Sequence, residues 1–329
     1  MLEQKGMLAL SSAFEAFQDI DIESFSKSLP YYLMTGRRGL KVFQNENTMV
    51  CIAKHPHDED SVLIFPEING DYSLTVQVLN RLSSSGLNVQ LARYTHENRK
   101  QLGQAVEANA LKLVKSIKLK EEDILDWKYP VRILDTVKVS KMSGKKLKGI
   151  RHKFNRAADD YEVLPLSHPE AVKAIRASVL LWASGMIFAG NETGYDMTEF
   201  YDTLVKHIVA FPSLFDGFAV TNGKEALGFS VWDYTGDTAN SLASLSRRSI
   251  DGMSEFQKVT ACRMLSDKGI KRFNLGGSET DSLDYFKMKF QPCDSISISS
   301  YKVEFEPMSP PMDSITNAVK SNDRRFDSL

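Results

Sequence analysis

Apolar residues along the chain recur at two spacings, one typical of helices and one typical of strands. Between residues 10 and 35, Phe14 and Phe17 and then Leu29 and Leu33 recur at near-helical spacing. Apolar runs bounded by polar or turn-forming residues predict strands at 40–43, 48–53, 62–65 and 88–92. Helices are predicted at 72–82 and 97–108. The first part of the chain therefore mixes helices and strands joined by short connections.

The same alternation continues in the second half, where two helices precede a set of strands. Pro169 suits the first turn of a helix, and a second helix is predicted to begin at Asp196. The Asn222-Gly223 pair lies between two alternating apolar runs, which is a strong signal for a β-hairpin. Strands are predicted at 216–220, 225–233, 239–245 and 271–275, with a helix at 255–268 that Gly269 ends.

The stretch from Asn274 to Pro292 combines a flexible turn with a short amphipathic helix. Two glycines, at 276 and 277, follow the predicted strand and allow a sharp turn or the close approach of a ligand. One face of the helix is predicted to pack on the core through Leu283, Phe286 and Phe290, and other faces carry Tyr285, Lys287 and Lys289. A strand–turn–helix with solvated lysines is the alternative to a ligand site.

Composition and charge limit the kinds of protein that this chain can be. The 329 residues carry a formal net charge of −1, so a polyanionic partner must be met by a local patch. The three cysteines are few and lack metal-ligand spacing, which predicts a reducing, cytoplasmic location. No metal site is predicted, because His55 and His57 have no evident further ligands. We also expect no membrane span, since no apolar run approaches about 18 residues.

Positive charge is concentrated in one segment near the middle of the chain. No Asp or Glu occurs between Asp135 and Asp159, and the segment is predicted to be helical with Leu147, Ile150 and Phe154 as its buried face. Clustered cations in a nearly neutral protein favour a polyanion. A solvated helix face balanced by acids elsewhere is the alternative. The basic residues are Lys138, Lys141, Lys145, Lys146, Lys148, Arg151, His152, Lys153 and Arg156.

Two motifs resemble signatures of one group of acyltransferases, and the order of elements over 168–305 is similar to that of the GNAT acyltransferase domain. Phe286-Lys-Met-Lys-Phe290 resembles the Phe-Lys-x-x-Phe signature of Fem-type peptidoglycan aminoacyltransferases, which recurs in the C-terminal domain of phosphatidylglycerol lysyltransferases. Residues 142–156 look like the Leu-x-Gly-Lys-x-x-x-x-Lys-Arg-x-x-x-Asn element that precedes that domain.

The resemblance implies an α+β (mixed α/β) fold of tandem GNAT-like lobes, each a mostly antiparallel central sheet flanked by helices. It implies an aminoacyl-tRNA donor, no bound cofactor, and attack by an amine on the aminoacyl ester to form an amide. No membrane-embedded N-terminal region is evident, so a soluble acceptor is expected. The expected regions are an N-terminal lobe at 1–120, a connecting segment with the basic helix at 121–165, a catalytic lobe at 166–305 and a tail at 306–329.

The resemblance also suggests roles for particular residues. Lys287 is expected to be the cation at the ester oxyanion or at a terminal-nucleotide phosphate. Asn274 is expected to hold the acceptor or the aminoacyl group, and Tyr285 to relay a proton; a turn amide and a packed ring are the structural alternatives. Phosphates of the tRNA acceptor stem are expected to bind Lys145, Lys148, Arg151, Lys153 and Arg156.

Two other functions remain open at this point. One is a GNAT N-acyltransferase that uses acyl-coenzyme A, with Arg247, Arg248 and the loop 249–254 on the pyrophosphate. The stretch from Ser246 to Gly252 departs from the coenzyme A pattern Gln/Arg-x-x-Gly-x-Gly/Ala, and a pyrophosphate needs small residues to approach backbone N–H groups. The other is a non-catalytic RNA-binding module. The amino acid, the acceptor and the oligomeric state are not determined by the sequence.

Overall fold

The computed structural model describes residues 28–45, 48–83, 85–109, 113–119, 128–157, 160–188, 190, 193–247, 249–305, 315–319, 324–327 and 329. The chain forms two compact units, one of residues 1–128 and 296–329 and the other of residues 129–295. The helix predicted over 10–35 is described from Leu29 to Thr35, and residues 10–27 lie outside the described part of the chain.

The elements alternate between strands and helices much as the periodicity predicts. The first are α1 (Leu29–Thr35), β1 (Leu40–Gln44), β2 (Met49–Lys54), β3 (Ser61–Ile64), α2 (Ser73–Ser83), β4 (Asn88–Tyr94), α3 (His96–Ala108) and β5 (Leu113–Lys118). Next come β6 (Val131–Asp135), α4 (Thr136–Lys141), α5 (Lys148–Ala157), β7 (Glu162–Pro165), α6 (Ala171–Phe188), α7 (Thr193–Ala210), β8 (Asp216–Thr221), β9 (Ala226–Thr235) and β10 (Thr238–Ser246). The last are α8 (Met253–Asp267), β11 (Arg272–Asn274), α9 (Asp281–Met288), β12 (Asp294–Ile296), β13 (Ser299–Phe305), β14 (Ile315–Val319) and α10 (Arg324–Asp327).

The first unit is built on a seven-stranded sheet of order β14-β1-β2-β3-β4-β13-β5. Its pairs are antiparallel except β3–β4, which is parallel and is joined through α2. Apolar side chains of the sheet, such as Ile52, Ile64 and Leu91, share one core with Leu79 of α2 and Leu102 of α3. Burying this apolar face is the main favourable term in forming the unit.

The second unit repeats the plan with a seven-stranded sheet of order β12-β6-β11-β10-β9-β8-β7. The β10–β11 pair is parallel and is joined through α8, while β7–β8, β8–β9, β9–β10 and β6–β11 are antiparallel. Trp232 on β9, Phe273 on β11 and Phe256 on α8 lie in its core. Two mostly antiparallel sheets flanked by helices confirm the predicted fold class.

The predicted β-hairpin is confirmed at the turn between β8 and β9. The Asn222 side-chain oxygen accepts hydrogen bonds from the backbone N–H groups of Lys224 (3.1 Å) and Glu225 (2.8 Å). Gly223 has a φ of 80°, which a residue with a side chain rarely adopts. The local Asn-Gly signal therefore sets this turn.

The division into units differs from the predicted region boundaries because strands distant in sequence complete both sheets. β6, from the predicted connecting segment, pairs with β11 in the second unit, with Asp135 opposite Arg272. β13, which precedes the predicted tail, lies between β4 and β5 of the first unit. Strand pairing across such separations leaves no local periodicity, so the sequence did not indicate it.

Helix α6 is long and apolar enough, by length and composition, to cross a membrane, with a mean hydropathy of 1.4 over 18 residues. This helix was not singled out from the sequence, because Lys173 and Arg176 interrupt its apolar stretch, and the expectation of no membrane span stays a prediction. One face of the helix is buried in the unit, through residues such as Ile175 and Val179, and 39% of the helix is buried in all. A single such helix is weak evidence, because core helices pass the same test.

Candidate active site

The two parallel strands of the second unit separate at the carboxyl end of β11. Their Cα pairing runs from Thr238 opposite Arg272 to Asn240 opposite Asn274. β11 ends there, while β10 continues to Ser246 and, among the described strands, is paired beyond Asn240 with β9 alone. Ligands in open α/β sheets bind at such carboxyl ends, where strands diverge. The carboxyl end of β11, beyond which β10 has no neighbour on that side among the described strands, is the candidate active site.

Asn274 stabilises the turn that follows β11. It is fully buried, its Nδ2 donates to Asn240 Oδ1 (3.3 Å), and its Oδ1 accepts from the Gly276 N–H (2.9 Å). Gly276 has a φ of 70°, so a residue without a side chain suits this turn. The observed bonds match the turn-amide alternative, while a role in holding substrate stays a prediction.

Lys287 lies beneath the same turn and is 6% exposed. Its Nζ donates to the carbonyl oxygens of Gly276 (3.2 Å) and Gly277. Burial lowers the pKa of Lys287 to about 7, against the opposing effect of Glu279. The turn therefore presents carbonyl acceptors to the ammonium group.

A buried ion pair fixes the helix that carries Lys287. Asp284, one turn earlier on α9, receives two hydrogen bonds from the Arg132 guanidinium, from Nε and Nη2, both at 2.9 Å. The Arg132 side chain is 16% exposed and the Asp284 side chain is 12% exposed. Arg132 also donates from Nη1 to the Ser295 hydroxyl (2.9 Å). This pair orients α9 against β6 and so positions Lys287.

A second buried lysine, Lys258 on α8, was missed in the sequence. It is 8% exposed, and its Nζ lies 5.6 Å from the centre of the Phe273 ring on β11. Burial lowers the pKa of Lys258 to about 8. Its charge also contributes to lowering the pKa of Lys287. A lysine within the apolar stretch of α8 is the one local signal that could have revealed it.

The exposed face of α9 differs from the predicted one. Tyr285 is 69% exposed, and its ring centre lies 5.3 Å from the Lys289 ammonium. No hydrogen bond in the described part of the chain connects Tyr285 to Lys287 or Asn274, so its proton relay stays a prediction. Leu283, expected to face the core, is 36% exposed, while Phe290 is buried as predicted.

The basic helix is confirmed as α5, preceded by a short 3-10 turn at Lys145–Leu147. Its predicted buried face is also confirmed, with Leu147, Ile150 and Phe154 each no more than 5% exposed. The Phe154 ring stacks on Phe256 with ring centres 5.2 Å apart. This packing leaves the remaining faces of the helix to the cations.

The predicted phosphate-binding cations of this segment fall into two groups. Lys153 donates to Asp251 (2.9 Å) and Glu255 (3.0 Å), which together raise its pKa, and Arg156 pairs with Asp251. Arg151 donates to the Met142 carbonyl (2.6 Å). The other two, Lys145 and Lys148, are exposed.

The loop between β10 and α8 carries the two remaining predicted cations. Arg247 forms an ion pair with Glu225, and Arg248 lies outside the described residues. Arg247 also borders a cavity of about 320 Å³ between α6, β9 and β10. Its other walls are largely apolar, including Leu181, Trp182 and Leu245. The cavity accommodates a small, mainly apolar group beside one guanidinium.

Several solved structures share the fold of this chain, two mostly antiparallel sheets flanked by helices. A structure of a conserved protein of unknown function from Bacteroides thetaiotaomicron is similar, with a TM-score of 0.72, 15% identity, and coverage of 90% of this chain and 97% of that one. L-PGS from Bacillus licheniformis has a TM-score of 0.60, 14% identity, and coverage of 89% and 91%. FemX has a TM-score of 0.56, 11% identity, and coverage of 88% and 95%. At such low sequence identity, these similarities show a shared fold and carry no conclusion about function.

A family model described as phosphatidylglycerol lysyltransferase, C-terminal, matches residues 131–296, half of the chain. The chain therefore belongs to this family, and it is an enzyme of the aminoacyltransferase class. The matched residues include both motifs of the sequence analysis, the basic segment 142–156 and the Phe286–Phe290 signature. No curated protein matches the sequence.

Proposed function

We propose that this protein transfers an aminoacyl group from aminoacyl-tRNA to an acceptor amine or related nucleophile. The observation that carries the proposal is Lys287, a buried lysine beside the point where β10 and β11 separate. An ammonium group has three N–H donors, and two of those of Lys287 point at the carbonyls of Gly276 and Gly277. The third is available to an oxygen of a bound ester.

The reaction needs little chemistry from the protein, because an aminoacyl ester is already activated. The acceptor nitrogen attacks the ester carbonyl carbon, and a C–N bond forms as the C–O bond to the terminal ribose breaks. The proton lost by the amine goes to the departing ribose oxygen. Lys287 in its ammonium form would stabilise the oxyanion of the tetrahedral intermediate, a role that typically contributes about 10²–10³-fold to turnover. The remaining contribution is proximity of the two reactants.

The exposed cations of the basic segment support a polyanionic donor. Lys145 and Lys148 are exposed, so they can reach phosphates without breaking an internal ion pair. Lys153 and Arg156 would have to leave Asp251 first. Replacing Lys145 and Lys148 with alanine should reduce the salt slope of tRNA binding by about 2, near one per lost phosphate contact. Lys153→Ala is the comparison, with a smaller effect expected.

Acidic residues at the start of α8 count against acyl-coenzyme A as the donor. Glu255 in the first turn and Asp251 just before it lie at the end of the helix that would otherwise attract a pyrophosphate. Both carboxylates are held there by Lys153. The N-cap residue of α8, just before Met253, is Gly252, so no side chain caps the start of this helix.

Two kinds of acceptor fit the proposal, a lipid and a soluble molecule. The cavity lined by Trp182, Leu245 and Arg247 would suit a mainly apolar group with an adjacent negative charge. The family's name gives phosphatidylglycerol as the acceptor of the enzyme it describes. A soluble acceptor, predicted from the sequence, stays a prediction, and both kinds belong in the test.

The deciding experiment measures single-turnover loss of label from aminoacyl-tRNA charged with each amino acid in turn. Purified protein is supplied either with phosphatidylglycerol vesicles or with a panel of soluble amines, and the labelled product is identified by mass. Lys287→Met should slow transfer by about 10²–10³-fold. Lys289→Met, one residue beyond the end of α9 with a side chain 38% exposed, is the matched control and should have little effect.

Two results would count against the proposal. Equal rates for the wild type and Lys287→Met would remove this lysine from the mechanism. Calorimetric binding of acetyl-coenzyme A in the tens of micromolar or tighter, together with acetyl transfer to an amine, would instead assign the protein to the acyl-coenzyme A enzymes.

A further inference from the structure

Lys258 on α8 is a buried lysine without a counter-ion. It is 8% exposed, and in the described part of the chain no carboxylate or hydrogen-bond acceptor contacts its Nζ, which lies 5.6 Å from the centre of the Phe273 ring. The Cys262 thiol, one turn later on α8, is neutral near pH 7, because burial raises its pKa to about 12. Buried charges are normally paired, since an unpaired charge is costly to remove from water. A buried cation without a counter-ion therefore calls for a functional explanation.

Lys258 lies at the same end of the sheet as the candidate active site. Helix α8 joins β10 to the parallel strand β11, so the start of the helix lies at the carboxyl ends of these strands. Lys258 is in the second turn of α8 and contacts Phe273, the residue before the last of β11. Glu255, in the first turn, lies 3.8 Å from Lys289, just beyond the end of α9. The start of α8 therefore packs beside the helix that carries Lys287.

Charged groups from four parts of the second unit act on the Lys287 ammonium. Lys258 on α8 and Arg132 on β6 repel it, while Glu279 in the turn before α9 and Asp284 on α9 attract it. Arg132 and Asp284 are bound to each other, so their effects on Lys287 oppose one another. Lys258 is thus a repelling charge that no bound carboxylate offsets.

We propose that Lys258 is a positioning residue for aminoacyl transfer, which acts through Lys287 by repelling its ammonium group until an oxyanion forms beside it. The inference rests on the proposed function, in which Lys287 stabilises that oxyanion. Before the reaction, two like charges are held near each other in a poorly solvated place, which costs free energy. The negative charge of the oxyanion compensates the Lys287 charge, so this repulsion is relieved in the transition state. A repulsion present only before the transition state lowers the barrier, and Lys258 needs no contact with substrate.

This role predicts a pH dependence that a purely structural lysine would not produce. Repulsion favours loss of the proton from Lys287, so removing the Lys258 charge should raise the titration midpoint of Lys287 by about 0.5–1 pH unit. At pH 6, where Lys287 is protonated in both proteins, Lys258→Met should transfer about 3–10-fold more slowly, because the same interaction no longer lowers the barrier. At higher pH the variant keeps more of its Lys287 protonated than the wild type, so the two rates should converge.

Nuclear magnetic resonance titration of the full-length protein measures the first effect without substrate. The ¹³Cε shifts of labelled lysine report protonation, and the Lys287 signal is identified by its loss in Lys287→Met. Its midpoint should rise by about 0.5–1 pH unit in Lys258→Met and in Lys258→Gln, which keeps a polar end. Methionine fills a similar volume without burying a charge, so Lys258→Met should be at least as stable as the wild type at pH 7.

The matched control for both measurements is Lys271→Met. Lys271 is exposed and directly precedes β11, so it lies at the opposite end of that strand from the candidate active site. Its charge is screened by solvent, and its removal should move the Lys287 midpoint by less than about 0.2 pH unit.

Single-turnover transfer from labelled aminoacyl-tRNA, measured from pH 6 to 8.5, tests the second effect. Ionisation of the acceptor amine is common to all the proteins, so the ratio of the wild-type rate to the Lys258→Met rate isolates Lys258. This ratio should fall from about 3–10 at pH 6 to about 1 at pH 8.5. For Lys271→Met the ratio should be near 1 throughout.

Two results would overturn the role of Lys258. One is an unchanged Lys287 midpoint in both Lys258 variants. The other is a rate ratio that stays constant across the pH range, because loss of packing alone would slow transfer equally at every pH. Either result leaves the proposed function standing if Lys287→Met is slow. Absence of transfer by the wild type would instead refute the proposed function, while the titration separately decides whether Lys258 acts on Lys287.

Discussion

Replacing Lys287 with methionine should alter how stability depends on pH, and this test needs no substrate. Burial lowers the pKa of Lys287 from 10.5 to about 7 in the folded protein. Between those values the unfolded chain carries the proton on this lysine and the folded chain does not. Raising the pH through this window therefore favours the folded wild type, while the methionine variant lacks this titration.

The size of the effect follows from proton linkage. One proton bound by the unfolded state and absent from the folded state changes the free energy of unfolding by at most about 1.4 kcal/mol per pH unit. Below about pH 7 the lysine is protonated in both states, so the difference between wild type and variant should be nearly constant there. Lys258 is present in both proteins and largely cancels in the comparison.

Urea denaturation of wild type and Lys287→Met at pH 6.5, 7.5 and 8.5 measures the difference directly. Lys289→Met, just beyond the end of α9, is the control for removing one lysine. The stability of the wild type relative to Lys287→Met should rise from pH 7.5 to 8.5. A difference that stays constant or falls over this range would mean that Lys287 is not held in a buried, desolvated position. The placement of Lys287 beneath the Gly276–Gly277 turn would then be wrong.

Two further substitutions test the packing around the Arg132–Asp284 ion pair and around the Glu67 carboxylate. Arg132→Met leaves the Asp284 carboxylate buried without its partner and should lower the free energy of unfolding, measured by urea denaturation, by about 3–5 kcal/mol. Adding Asp284→Asn to this variant should recover part of the lost stability. A loss below about 1 kcal/mol for Arg132→Met would contradict a buried pair. Gly70→Ala places a Cβ against Glu67 and should destabilise the protein by about 1–3 kcal/mol in thermal unfolding. Gly103→Ala, where a Cβ would meet nothing within 4 Å, is its control and should be neutral or stabilising, as helix propensity predicts. Similar losses for the two glycine variants would remove the steric argument.

Local patterns in the sequence determined most of the elements of this protein. The Asn222-Gly223 turn formed the predicted hairpin, and the apolar face of α5 was buried as its spacing required. Both features depend on residues within a few positions of one another. Hydrogen bonds at a turn and the 3.6-residue helical repeat act over this range, so they can be read from the sequence.

The burial of charged side chains was decided only by the tertiary structure. On α9 the sequence predicted that Leu283 would face the core, yet Asp284 and Lys287 are buried and Leu283 is exposed. The partner that makes this possible, Arg132, is 152 residues from Asp284 in the sequence. Burying a charge is costly unless it is paired, and the pairing group cannot be identified from local periodicity.

The same reasoning explains the basic helix and the division into units. Asp251 and Glu255, which neutralise Lys153, are 98 and 102 residues away, so the sequence showed an uninterrupted patch of positive charge where the folded protein has ion pairs. β13 completes the first sheet from the far end of the chain. Backbone hydrogen bonds between strands are alike at every position, so only the packing of side chains in the assembled sheet selects which distant strands pair.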